Sequence, residues 1–187
     1  MSKELRQHIE EIIPLTDKDF SYILSHFTEK KLKKHQYLIQ IGDKVAHTYW
    51  VSNGLLKATY TDEKEKEHII QFAMENWWIT DYQAYFTQTK AILNVDCLEA
   101  TELLCLSYEN REKLCKELHK MEHFFRRKAN NGFIALQKRM LSFMTNSSET
   151  RYDLLLKQYP TLFQRVSKSI IAAYLGVSRE TLSRFNK

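Results

Sequence analysis

The hydrophobic periodicity of this chain changes near Ser107, and that change restricts the folds open to it. From His35 to that point, apolar residues come in short alternating or β-branched runs: Tyr37–Ile41, Thr48–Val51, Leu55–Thr61, His68–Ala73, Ile92–Leu98 and Glu102–Leu106. Alternation with a period of two marks strands that bury one face. Gly42-Asp43, Ser52-Asn53-Gly54 and Thr61-Asp62 punctuate the runs at the spacing of an antiparallel sandwich or barrel. Asn53-Gly54 predicts a hairpin, since both residues tolerate positive φ. After Ser107 the period becomes helical, with a short helix over Tyr108–Leu118 and a second from His119 to about Thr145. Residues 3–31 read as short helices: Ile9, Ile12 and Ile13 share a stripe, Pro14 breaks it, and Asp17 to Phe27 follows. The expected class is α+β.

Composition closes off other classes. With 43% hydrophobic and 27% charged residues but only four glycines and two prolines among 187, the chain is folded rather than disordered. No stretch approaches the roughly 18 apolar residues of a membrane helix. Lys3, Glu4, Arg6, Glu10 and Glu11 occupy the place of a signal peptide's apolar core, so a cytoplasmic protein with no membrane partner is expected. Cys97, Cys105 and Cys115 lack the spacing of a zinc site or redox pair and are too few for an all-cysteine iron–sulfur cluster. Buried free thiols are expected, with no cofactor and no metal.

Along the second long helix, Met121, Phe125, Gly132, Leu136, Met140 and Phe143 recur at steps of about 3.5 residues, with Phe124, Phe133 and Ile134 beside them. This is more aromatic surface than one small β-unit covers, which points to a homodimer through this helix. The alternative is packing on its own chain, with Gly132 at a close crossing. Asn146-Ser147-Ser148 reads as the hinge that follows.

The net charge of +5 is confined to the end of the chain. Residues 1–150 hold equal numbers of acidic and basic side chains, whereas residues 151–187 hold seven Lys/Arg against two Asp/Glu. A neutral body with a basic end suits binding to a polyanion. Within that end, Lys168–Leu175, Gly176-Val177 and a helix capped by Ser178 read as a helix-turn-helix. Ile171, Leu175, Val177, Leu182 and Phe185 face inward, Ala172 permits close approach, and Gly176 supplies the turn. Arg179, Glu180 and Thr181 then occupy the first turn of the second helix, with Arg184 further along. Arginine can donate twice to guanine, and glutamate can accept from cytosine.

The segment Val166 to Phe185, with its Ser-Arg-Glu-Thr-x-x-Arg run, resembles the helix-turn-helix signature of the Crp/Fnr family of bacterial transcription regulators. The upstream order is similar too, with Gly42 and Gly54 at matching turns. The resemblance implies an eight-stranded β-roll of the cyclic-nucleotide-binding, jelly-roll type over residues 1–118, a dimerisation helix over 119–145, and a (winged) helix-turn-helix domain over 146–187. It implies a homodimer on an inverted-repeat operator in double-stranded DNA, with RNA polymerase as a further partner. Base reading would fall to Arg179, Glu180 and Arg184, with Ser167, Lys168, Ser178 and Thr181 near phosphates.

Some residues depart from that pattern. Cyclic-AMP-binding members carry a Gly-Glu-Leu segment and, about ten residues on, an Arg-Ser pair around the cyclic phosphate. The stretch here reads Trp78-Ile79-Thr80-Asp81-Tyr82 and then Ala91-Ile92. Asp81 stands where the glutamate would be, flanked by Thr80 and Tyr82, and Lys90 is the nearest cation to the arginine position. A buried phosphate without a paired cation carries a large desolvation cost, so no cyclic-AMP binding of the usual kind is expected. Trp77, Trp78, Tyr82, Tyr85 and Phe86 either line a pocket for another ligand or fill the roll. His119 and His123, four apart on a helix, are two ligands alone and make a weak metal pair. Leu154 to Arg165 reads as helix, Pro160 turn, then helix or coil, which leaves little room for a wing.

No Gly-rich phosphate loop, Gly-x-Ser-x-Gly elbow or His-Glu-x-x-His points to an enzyme. The competing reading is a ligand- or partner-binding module of cyclic-nucleotide-domain type that does not touch DNA.

Overall fold

The computed structural model describes residues 2–185. These divide into two compact units: residues up to 60 together with 71–129, and residues 61–70 together with those from 130 onward.

In the first unit, helices α1 (Ser2–Glu10) and α2 (Asp17–Leu24) precede eight strands. The strands are β1 (Phe27–Leu32), β2 (Tyr37–Ile39), β3 (His47–Asn53), β4 (Leu56–Thr61), β5 (Glu67–Ala73), β6 (Trp78–Ile79), β7 (Asn94–Cys97) and β8 (Thr101–Ser107), with the short helix α3 (Tyr82–Thr87) after β6. They form two four-stranded sheets, ordered β1-β8-β3-β6 and β2-β7-β4-β5. The antiparallel registers run Phe27 opposite Leu106, Tyr49 opposite Cys105 and Ala58 opposite Val95. Tyr49, Val51, Leu103 and Cys105 of one sheet meet Leu38, Leu56, Val95 and Cys97 of the other in a common core, into which Tyr85 of α3 also packs. Because side chains alternate, Trp50, Leu104 and Leu106 point the other way, into a second core with Leu5, Ile9 and Ile23 of the N-terminal helices. Leu114 of α4 (Tyr108–Glu117) and Met121, Phe124 and Phe125 of α5 (His119–Thr145) complete that core.

Each of the six expected strands is present in whole or part. Residues 27–31, expected to belong to a helical segment, instead form most of β1, because ladder pairing along β8 outweighs a local sequence of Thr-Glu-Lys-Lys with no alternation. Asn53-Gly54 forms a turn but not a hairpin, since β3 and β4 belong to different sheets. Gly54 has φ +107 and passes so close to β8 that a Cβ would lie 2.6 Å from Thr101 Oγ1. Its N–H donates to Glu75 Oε1 at 2.9 Å. The turn thus serves a sheet-to-sheet crossover. Cys97 and Cys105 are buried free thiols, whereas Cys115 is only half-buried.

The second unit contains the rest of α5, then α6 (Ser148–Gln158), α7 (Pro160–Arg165), α8 (Lys168–Leu175) and α9 (Arg179–Arg184), together with the tip of the β4–β5 hairpin. Its core is Tyr152, Leu155, Leu162, Ile171, Ala172, Leu175 and Leu182. Tyr152 packs edge-on to Phe163 at 5.3 Å and against Phe185 at 5.7 Å. Pro160 opens α7 at its first turn, where a missing N–H costs nothing. Among the described residues from 146 on there is no strand. Along α5 beyond Ala129 the apolar side chains are uncovered, with Phe133 69% and Met144 76% exposed, and a Cβ on Gly132 would meet nothing within 4 Å. Gly132 therefore marks no close crossing within the chain.

Candidate nucleic-acid interface

The α8–α9 hairpin forms as its local sequence dictates. Ser167 caps α8 by accepting from the Ile170 N–H, and Ser178 caps α9 by accepting from the Thr181 N–H at 3.1 Å. Between them Gly176 takes φ +71, and the Val177 N–H reaches back to the Ala172 carbonyl at 3.0 Å. Ile171, Ala172, Leu175 and Leu182 are buried between the helices, while Val177 and Phe185 are half-buried at its edge.

With Leu182 turned inward, the opposite side of α9 is left to water. Arg179, Glu180 and Arg184 are exposed there, Thr181 is half-buried, and Ser167 and Lys168 are exposed at the start of α8. Hydrogen bonds from its own backbone N–H and from Ser178 hold the Glu180 carboxyl below the usual carboxylate range, so near neutral pH it is an ionised acceptor. The face therefore offers two forked cationic donors and one anionic acceptor on a helix six residues long.

Two further arginines fix this hairpin, and no local pattern in the sequence marks them. Arg151 of α6 donates to the Leu175 carbonyl at 3.1 Å and to the Asn146 carbonyl at 2.9 Å. Arg139 of α5 donates to the Tyr174 carbonyl at 3.3 Å. Both satisfy carbonyls that the end of α8 leaves without helical partners. The Phe143 ring has both guanidinium groups near it, Arg151 at 4.7 Å and Arg139 at 5.4 Å.

The remaining sequence candidates fall elsewhere. Met121 and Phe125 lie in the core of the first unit, which covers them without a second copy, while Gly132, Leu136, Met140 and Phe143 are exposed. Asp81 is buried at the N-terminus of α3, where Oδ1 accepts from the Ala84 N–H at 3.1 Å and Oδ2 from the Ile92 and Leu93 N–H groups at 2.8 and 3.1 Å. Thr80 is buried and donates to the His47 carbonyl. Tyr82 is exposed and stacks on Phe86, and Lys90 is exposed on its loop. Tyr85 fills the roll interior and Trp78 packs against Phe124 and Phe125, so these two aromatics are core residues. His119 and His123 are exposed, with His123 Nδ1 2.9 Å from Arg126, and no group of three or more metal-type side chains occurs among the described residues. No helix among them is long and apolar enough to cross a membrane.

A cyclic nucleotide does not fit these residues. The Asp81 carboxylate already accepts three backbone N–H groups, and the turn that would face a cyclic phosphate presents Ala91 and Ile92, with the nearby Lys90 exposed rather than buried.

Residues 29–118 match the family described as cyclic nucleotide-binding domain. Comparison with curated proteins gives no significant match. Among solved structures, the chain is similar to the c-di-GMP-responsive global regulator CLP of Xanthomonas campestris, with a TM-score of 0.74 at 14% identity over 91% of this chain and 89% of that one. The catabolite activator protein of Thermus thermophilus aligns with a TM-score of 0.58 at 21% identity, covering 92% and 82%. A putative Crp/Fnr-family transcriptional regulator of Eubacterium rectale aligns with a TM-score of 0.69 at 14% identity, covering 91% and 82%. Residues 29–118 are thus similar to the cyclic nucleotide-binding domain family, and the chain shares its fold with these solved structures.

Proposed function

We propose that this protein is a homodimeric transcriptional regulator that reads an inverted repeat in double-stranded DNA. The observation that carries the reading is the outward face of α9, where Arg179, Glu180 and Arg184 stand free of the core on a helix anchored by Leu182. Arg179 and Arg184 are assigned to guanine edges and Glu180 to a cytosine amino group. Ser167, Lys168, Ser178 and Thr181 lie where they can meet phosphates, which position the protein without reading sequence. The uncovered apolar residues Phe133, Ile134, Leu136, Met140 and Met144 supply the dimer contact, because a stripe of this size left in water invites a second copy. RNA polymerase is the further partner, and the cytoplasm the compartment, that this role requires. The roll acts as a sensor or scaffold that does not hold a cyclic phosphate; the backbone N–H groups on Asp81 and the exposure of Lys90 support this.

The test is selection of duplexes from a random pool, followed by binding titrations across salt concentration. A palindromic consensus bound with steep salt dependence is the expected result. Failure to enrich any duplex at low salt, with the protein stably monomeric, would favour the competing reading as a docking module.

A further inference from the structure

Two parts of the second unit are short of hydrogen-bond donors for independent reasons. At the end of α8 the Ala172 and Ala173 carbonyls accept from the Val177 and Gly176 N–H groups, whereas those of Tyr174 and Leu175 lie beyond the reach of the helix's own donors. Strand β5 is the outer strand of its sheet, so every second carbonyl along it points to an edge that no ladder pairs. Arg139 serves both. Its Nη1 donates to the Ile70 carbonyl, and its Nη2 donates to the Ile69 carbonyl at 3.1 Å and the Tyr174 carbonyl at 3.3 Å. The guanidinium lies 4.0 Å from the centre of the Tyr174 ring. A planar fork with five donors can bridge an edge strand and a helix end in this way, whereas a lysine ammonium cannot match the same set.

The bridge lies at a significant place in the chain. Residues 61–70 belong to the second unit and residues 71–73, the rest of β5, to the first, so the strand held by Arg139 is continuous with the roll. The attachment is also an unrelieved one. Arg139 Nε is buried without an acceptor, no carboxylate pairs with the group among the described residues, and burial pulls its pKa below the usual arginine value. A half-buried cation held by neutral carbonyls and ring faces, with no carboxylate partner, gains little over the same cation in water, so small displacements of the strand suffice to free it.

We propose that Arg139 is a positioning residue for DNA reading: by tying the β5 edge at Ile69 and Ile70 to the carbonyl end of α8, it fixes the Gly176 turn and α9, and displacement of the hairpin releases them. This rests on the DNA-reading role proposed above, and its test separates the two. Hydrogen exchange on the full-length protein compares wild type with Arg139→Met. Amides of residues 67–71 and of 174–178 are expected to lose protection together, while α1 and α2 are unchanged. On a duplex selected by the wild type, specific affinity falls about tenfold and affinity for random-sequence DNA stays within about twofold. Arg139→Lys, which keeps the charge but not the fork, shows the same paired loss and serves as the variant should Arg139→Met melt the unit. Loss of protection in only one of the two segments, or in neither, overturns the proposal, as does an equal loss of affinity on every sequence. If the wild type selects no duplex, the DNA-reading role falls and the paired exchange criterion still decides whether the tie exists.

Discussion

A Cβ placed on Gly176 would lie 3.4 Å from Cε1 of Phe143. The turn between α8 and α9 is therefore limited by its own backbone, at φ +71, and an added Cβ would sit in van der Waals contact with a ring presented from α5. Gly176→Ala is expected to cost about 1–2 kcal/mol from the left-handed conformation. The β-branch of valine, with the Phe143 ring already at contact distance, raises the cost further for Gly176→Val. Urea unfolding followed by a probe in the second unit measures this, and a midpoint unchanged by Gly176→Val would contradict it.

Arg179→Ala should weaken binding to the selected duplex by about 1–3 kcal/mol and relax specificity at one base pair per half-site. Binding to random-sequence DNA should change little. Parallel titrations on duplexes substituted at each position identify the base pair. A uniform loss across all of them would move Arg179 to the phosphate class.

Leu136 is 59% exposed, so Leu136→Glu adds a charge where the single chain buries nothing. Sedimentation velocity should show the dimer giving way to monomer while far-ultraviolet circular dichroism is retained. Selected-duplex affinity should fall with it, because one half-site lacks the second set of contacts.

Protonation of His8 is expected to weaken the first unit in acid. Its Nε2 accepts from Trp78 Nε1 at 3.3 Å, its ring is buried between Trp50 and Phe124, and burial, with Lys128 nearby, pulls its pKa down to about 4. The unfolded chain takes up a proton near pH 6.5 that the folded chain refuses until about pH 4. Stability is thus full above the unfolded value and declines across that interval, by about 3 kcal/mol when complete. His8→Gln keeps an acceptor and does not titrate, so the difference in stability between wild type and variant should shift by that amount between pH 7.5 and pH 4. A constant difference would show that His8 does not carry the effect.

The parts of the structure legible from sequence are those set by local period and local stereochemistry. The span of α5, the Gly176 turn with its serine caps, and the six apolar runs that became strands all follow from side-chain spacing within a few residues. β1 was not legible, because Thr-Glu-Lys-Lys becomes a strand only through pairing with Thr101–Leu106 far along the chain. The role of Gly54 was half legible: its positive φ was expected, but the destination of the next strand depends on a close approach to Thr101. In the candidate site, the exposure of Arg179, Glu180 and Arg184 follows from their position after a cap. Arg139 and Arg151 were not legible, since their targets are main-chain carbonyls that no side-chain pattern records.

The stacking of Arg139 and Arg151 about Phe143 bears on how the reading head can be dissected. A fragment cut at the apparent hinge, starting at Ser147, would retain α8, α9 and every exposed side chain of α9. It would leave behind Phe143 and the arginine that closes the Tyr174 carbonyl. Such a peptide would carry the side chains proposed to read bases without the handle that holds them in place, and a weak grip on a duplex would say little about the intact molecule.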